Sequence, residues 1–139
     1  MKHTISVLVE NHAGVLSKIS GLFSRRAFNI ESLAVGVTED PSISRITIVV
    51  SGSDHMVEQI EKQLNKLIPV IKVKTLKEGS YISRTLTFFT VSSTLQKRPE
   101  ILKIAEMMTA KVVDVSPRSI TLEFSDTLEK TKALEGLLS

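Results

Sequence analysis

Apolar and polar residues follow two different periods in the first half of the chain. Four segments alternate between apolar and polar side chains or are rich in β-branched residues, which is typical of strands: residues 4–9, 30–38, 44–51 and 70–76. Two others carry apolar side chains at three- and four-residue spacing, which predicts amphipathic helices: residues 15–23 and 57–68. Asp54 is a suitable N-cap for the second helix, and Pro69 ends it.

These elements follow the order βαββαβ within residues 1–77. Right-handed crossover connections place both helices on the same side of a sheet. The prediction is therefore an α+β domain, a four-stranded antiparallel sheet with two helices on one face.

The same pattern begins again after Gly79 and Ser80. Strands are predicted at 81–92, 112–115 and 120–124, and helices at 99–108 and 126–138. The chain is thus predicted to hold two tandem ferredoxin-like units, residues 1–77 and 78–139, and the second lacks its last strand. Such a unit has an unpaired sheet edge. Three explanations stay open: a strand from a partner, a chain shorter than its natural relatives, or another segment that substitutes.

Composition narrows the class of protein. The 139 residues are 42% hydrophobic and include no cysteine, which excludes disulfides, thiolate nucleophiles and cysteine-bound metals. No signal peptide or membrane span is predicted, so a cytoplasmic location is expected. The net charge is +3, and the basic residues are scattered along the sequence, which indicates a solvated surface rather than a nucleic-acid footprint.

The sequence offers little for catalysis. His3, His12 and His55 are widely spaced without a pattern of carboxylates, so neither a metal site nor an acid–base site is predicted. Phosphate-binding, dinucleotide-binding and nucleophile motifs are absent. We therefore predict no catalytic residues, no metal ligands and no cofactor in this chain.

The loop at residues 11–15 is the best candidate for a binding site. It leads from a strand end into a helix start, where free N–H groups and the helix dipole suit a carboxylate. Gly14 permits close approach, and Asn11 supplies both a donor and an acceptor. A small amino acid needs this combination, although a plain helix cap with a tight glycine turn explains the same residues.

Two other functions of βαββαβ folds are disfavoured. RNA recognition needs stacking aromatic side chains on the central strands, and residues 4–9 and 44–51 contain none. An acyl-phosphate hydrolase would need an arginine in the first loop, and residues 11–15 contain none.

Several runs together resemble the small subunit of acetolactate synthase (acetohydroxyacid synthase): Leu8–Asn11, Gly14–Ser17, Leu22–Arg26, Phe28–Leu33 and Ser44–Ile48. The run 29–33, followed by 38–40 and 44–45, is the most specific part. The resemblance is close over residues 2 to about 78, returns at 113–117 and is weak over 86–110. Generic ACT domains share only the opening of strand, glycine and helix.

The resemblance implies an N-terminal ACT domain, which senses amino acids, followed by a second ferredoxin-like domain. It implies a non-catalytic regulatory subunit that binds and activates a thiamine-diphosphate-dependent catalytic subunit. In branched-chain amino acid biosynthesis, such a subunit confers feedback inhibition by branched-chain amino acids, chiefly valine. Thiamine diphosphate, magnesium and FAD are then expected on the catalytic subunit. Family members usually continue through a final strand that this sequence lacks, which implies an incomplete second domain. The alternative is a free-standing ACT-type sensor that controls another enzyme or transcription.

The resemblance also implies an effector site between two ACT domains of a homodimer. The predicted effector-binding residues are Asn11, Ala13, Gly14, Val15, Leu16, Asn29 and Ile30. Dimerisation is predicted through the exposed edge of the strand at 31–38. The alternative is that the second domain covers this edge.

Overall fold

The computed structural model describes residues 1–26 and 28–139, and the chain divides into two compact units, Met1–Tyr81 and Ile82–Ser139. The first unit contains β1 (Lys2–Glu10), α1 (Val15–Arg25), β2 (Ile30–Val37), β3 (Ile43–Ser51), α2 (Asp54–Asn65) and β4 (Val70–Leu76). The second contains β5 (Thr85–Ser92), α3 (Arg98–Met108), β6 (Lys111–Ser116), β7 (Ser119–Asp126) and α4 (Leu128–Leu138). The predicted α+β order βαββαβ followed by βαββα is confirmed.

The first sheet is antiparallel throughout, in the order β2-β3-β1-β4. β1 and β3 are central, and every second residue along them is buried. Ile5 and Val7 of β1 lie opposite Ile48 and Ile46 of β3. Strand alternation therefore directs one face of the sheet into the core and leaves the other face open.

Both helices of the first unit pack on this buried face. α1 contributes Val15, Ile19, Leu22 and Phe23, and α2 contributes Val57, Ile60 and Leu64. The ring of Phe23 meets that of Phe28 edge to face, with centroids 6.0 Å apart. One apolar core therefore joins both helices to the two central strands.

The N-cap of α2 differs from the sequence prediction. Asp54 is the first residue of the helix, and Ser53 before it is the cap. The Ser53 hydroxyl accepts the Met56 N–H at 3.2 Å. Asp54 instead places its carboxylate in the first turn, where it interacts favourably with the positive end of the helix dipole.

The second unit has a three-stranded antiparallel sheet in the order β5-β7-β6. Ile120 and Leu122 of central β7 are buried against Ile101 and Ala105 of α3. β5 begins at Thr85, not at residue 81 as predicted, because Thr85 already pairs with Asp126 at the end of β7. Within the described residues, β5 has a partner strand on one side only.

The core can be tested with two isoleucines of the first unit that differ in burial. Ile60 is 0% exposed and Ile68 is 93% exposed. We expect Ile60→Ala to lower the free energy of unfolding by about 2–5 kcal/mol, because it removes buried methyl groups and leaves a cavity. Ile68→Ala is the matched control and should change it by less than about 0.5 kcal/mol. Urea unfolding followed by circular dichroism measures both, and equal losses would contradict this packing.

Candidate functional site

Three loops meet at one end of the first sheet: the loop before α1, the turn between β2 and β3, and the loop before β4. Hydrogen bonds to the other two hold the loop before α1 in place. The Asn11 N–H donates to the Ser42 carbonyl at 2.8 Å, and the Asn11 side chain donates from Nδ2 to the Pro41 carbonyl at 2.9 Å. The Glu10 N–H donates to the Pro69 carbonyl at 2.9 Å. The entry to α1 is therefore fixed by contacts with residues distant in sequence.

The turn that presents the Pro41 carbonyl is itself held by Asp40. The Asp40 carboxylate accepts the Ser42 hydroxyl at 2.7 Å and the Ser42 N–H at 3.0 Å. Both bonds favour the ionised carboxylate, the hydroxyl bond more strongly, so the pKa of Asp40 lies below its ordinary value of 3.8. This support for the turn is fully present above the ordinary pKa. It is lost only as the pH falls through the lowered one.

The start of α1 lacks the groups that normally satisfy a helix N-terminus. Gly14, at the N-cap, has φ 87°, makes no side-chain cap and is followed by no acidic residue in the first turn. By contrast, Ser53 caps α2 and Thr127 caps α4, and each of those helices has an acid in its first turn. Within the described part of the chain, the N–H groups of Leu16 and Ser17 have no acceptor. The positive end of α1 is therefore open to an anion.

Asn11, in the loop that leads into α1, carries a side-chain acceptor. A carbonyl oxygen can only accept, so the contact with Pro41 assigns the donating nitrogen of the Asn11 amide and leaves Oδ1 as the free end. Leu16 is 43% exposed and offers apolar surface near the same loop. Val15 is buried, so its side chain belongs to the core and only its backbone can face a ligand.

Asn29 and Ile30 lie at the opposite end of the sheet. Ile30 pairs with Val50, which also faces His3 near the start of β1, whereas Glu10 at the other end of β1 pairs with Ile43. The two ends are about seven residues apart along β2, roughly 23 Å at strand rise. One chain therefore brings together the predicted site residues Asn11 to Leu16 but not Asn29 and Ile30. The side chain of Asn29 is exposed.

β2 is an edge strand, and it is apolar on the face that carries the helices. Leu33, Val35 and Val37 pair with buried residues of β3, yet they are themselves 41%, 48% and 60% exposed. Its outer backbone groups have no strand partner among the described residues. An apolar, unpaired edge of this kind is a template for another strand.

The described residues show neither a metal-binding group nor a membrane span. No cluster of three or more histidine, aspartate or glutamate side chains is placed to hold a metal ion. Among the same residues, no helix is long and apolar enough to cross a membrane.

The strand order β2-β3-β1-β4, two helices on one face and a glycine at the start of α1 are features of an ACT-type domain, and the first unit has all three. Residues 5–72 match the family profile described as "AHAS small subunit-like ACT domain", and residues 84–139 match that described as "Small subunit of acetolactate synthase". The chain belongs to the family of acetolactate synthase small subunits.

Individual relatives agree with this assignment. The acetolactate synthase small subunit of Mycolicibacterium smegmatis is 52% identical over 136 residues, covering 98% of this chain and 80% of the relative. The probable acetolactate synthase small subunit of Archaeoglobus fulgidus is 49% identical, covering 99% of this chain and 86% of the relative. The crystal structure of the small subunit from Thermotoga maritima superposes with a TM-score of 0.93 at 36% identity, covering 99% of this chain and 86% of that one.

Proposed function

We propose that this chain is the regulatory, non-catalytic subunit of acetolactate synthase, and that it activates the catalytic subunit and makes it sensitive to valine. The observation that carries the sensing role is the start of α1, where no side chain caps the helix and no acid lies in its first turn. The names of the relatives support the choice of enzyme. Thiamine diphosphate, magnesium and FAD then belong to the catalytic subunit.

The effector site requires two copies of the chain. If the β2 edges of two copies pair antiparallel about a two-fold axis, the start of one β2 lies beside the end of the other. Asn29 and Ile30 of the partner subunit then approach the Val37 end of this chain, which is the end that holds Asn11. This pairing also covers the exposed apolar side chains of β2.

Valine fits the combined site through three interactions. Its carboxylate accepts N–H bonds at the start of α1 around Gly14 to Leu16, where the free donors and the helix dipole coincide. Its ammonium group donates to Oδ1 of Asn11, and its isopropyl group packs between Leu16 and Ile30 of the partner subunit. Discrimination among valine, leucine and isoleucine is modest, because one methylene in an apolar pocket changes binding by about 1–3 kcal/mol.

The dimer can be tested by charging the β2 edge. Val35→Lys places a charged side chain, in each copy, among the apolar residues that the proposed pairing covers, so we expect the variant to be monomeric at micromolar concentration while the wild type is dimeric. Ile82→Lys is the control, because Ile82 is exposed and lies in the second unit. Sedimentation velocity measures all three proteins. A monomeric wild type, or a dimeric Val35→Lys variant, would rule out this interface.

Two substitutions at Gly14 distinguish the effect of charge from that of side-chain shape at the proposed effector site. A side chain at Gly14 meets nothing within 4 Å but must adopt a left-handed backbone, which Asp and Asn tolerate comparatively well. We expect Gly14→Asp to abolish valine binding, because its carboxylate repels the ligand's own carboxylate, while Gly14→Asn retains binding within about tenfold. Calorimetric titration of valine measures both. Equal affinities in the two variants would place the carboxylate elsewhere.

Asn29 tests the contribution of the second copy. Its side chain is exposed, so Asn29→Ala should weaken valine binding with little change in melting temperature if Asn29 contacts the ligand. A lowered melting temperature with unchanged valine affinity would instead make Asn29 a structural turn residue.

The regulatory role itself is tested with the purified catalytic subunit of the same organism. With pyruvate, thiamine diphosphate, magnesium and FAD present, we expect no acetolactate from this chain alone. Adding the chain to the catalytic subunit should raise activity several-fold, and valine should reverse the increase. Product from the chain alone would refute the non-catalytic assignment. Unchanged activity of the catalytic subunit would favour a free-standing amino-acid sensor.

A further inference from the structure

Basic side chains gather along one groove on the first unit, away from the loop that precedes α1. The groove has a volume of about 540 Å³ and runs along the exposed side of α2. Four of its lining residues are cationic or can become so, namely Arg26, His55, Lys62 and Lys66. These residues are distant or interleaved in the sequence, and the fold brings them to one surface.

Among the described residues that line the groove, none carries a carboxylate to balance this charge. Glu58 and Glu61 lie on α2 but do not line the groove, and the Glu61 carboxylate instead accepts the Thr75 hydroxyl on the β4 side. None of the four basic side chains forms an ion pair with any described residue. Lys62 and Lys66 are four residues apart on one helix face, where like charges repel.

Favourable interaction with helix dipoles explains the positions of only some of these basic side chains. Lys66 is the C-cap of α2 and Arg26 is the C-cap of α1, and cations at helix C-termini are favourable. His55, however, is the second residue of α2, at the end where a positive charge is unfavourable. The basic surface therefore extends beyond what the dipoles stabilise.

Neutral hydrogen-bonding groups lie among the charges. Gln59 and Gln63 line the groove, and the side-chain nitrogens of Gln59 and His55 are 3.3 Å apart. Residues 55 to 66 cover about 16 Å of helix, at 1.5 Å per residue. A ligand that contacts all four bases must therefore carry more than one anionic group.

We propose that this groove is a binding site for a small multivalent oxyanion, of the oligophosphate or polycarboxylate type. Arginine and lysine both bind such groups by charge-assisted hydrogen bonds, and the glutamine amides supply further donors. The site differs from the proposed valine site in the groups that hold the anion: it uses side chains of α2 and of Arg26, whereas the valine carboxylate is held by N–H groups at the start of α1.

The test is a titration of the full chain at low ionic strength, where screening between exposed charges is weak. The probes are orthophosphate, pyrophosphate, tripolyphosphate and citrate at matched ionic strength, followed by calorimetry. Affinity should rise with the number of anionic groups. Tighter binding of tripolyphosphate than of citrate identifies an oligophosphate ligand, and the reverse order identifies a polycarboxylate. No saturable binding of any probe at millimolar concentration would overturn the proposal.

Variants locate the site. Lys62→Gln combined with Lys66→Gln should weaken the best probe at least about tenfold, since two charge-assisted contacts are lost. Lys72→Gln combined with Lys74→Gln is the control, because it removes the same charge from exposed positions on β4. The control should change affinity less than about twofold. Equal losses in the two double variants would show non-specific attraction and overturn the site.

A second readout is independent of affinity. The side-chain amide signals of Gln59 and Gln63 should shift in NMR spectra when the probe binds. In a separate titration, the double variant of Lys62 and Lys66 should bind valine with the same affinity as the wild type. Unshifted amides during saturable binding would place the anion elsewhere. Loss of valine binding in wild type and variant alike would count against the proposed effector site and not against this groove.

Discussion

The structure of the first unit depends on burying one face of the β1–β3 pair beneath two helices. Ile5, Val7, Ile46 and Ile48 on these strands are 0–1% exposed. Because α1 and α2 cover the central strands, β2 lies at the margin of the helical layer with its apolar side chains exposed. The packing that stabilises the domain therefore also creates the surface through which a second copy is proposed to bind.

The sequence predicted most of this fold because its signals are local. The alternation along β1 and β3 and the helical spacing along α1 and α2 can each be recognised within a single element. The right-handedness of crossover connections then restricts how the elements assemble. The sequence predicted the ends of some elements less accurately. The N-cap of α2 is Ser53 rather than Asp54, because either residue could cap and only the geometry decides which hydroxyl or carboxylate accepts an N–H. β5 starts late because its partner β7 ends at Asp126.

The candidate site was predictable only in part, because only some of its contacts join residues that are close in the sequence. The residue types alone predict a ligand loop at Asn11 and Gly14. The bond from Asn11 to Pro41 joins residues thirty apart, so no local pattern reveals it. The basic groove shows this limit more strongly: Arg26, Lys62 and Lys66 appear scattered in the sequence, and only the packing of α2 beside the end of α1 gathers them.

Two parts of the first unit, the start of α1 and the edge of β2, lack interaction partners, and a second copy of the chain would contribute to both. Within the part of the chain that the structure describes, the start of α1 has donors without acceptors, and the edge of β2 has backbone groups and apolar side chains without a partner strand. In the proposed dimer, a second copy covers the edge and also delivers Asn29 and Ile30 to the donors. An amino acid that touches both copies in the proposed dimer would bind the dimer more tightly than the monomer, so by linkage it would stabilise the dimer by the same free energy with which dimerisation strengthens its binding.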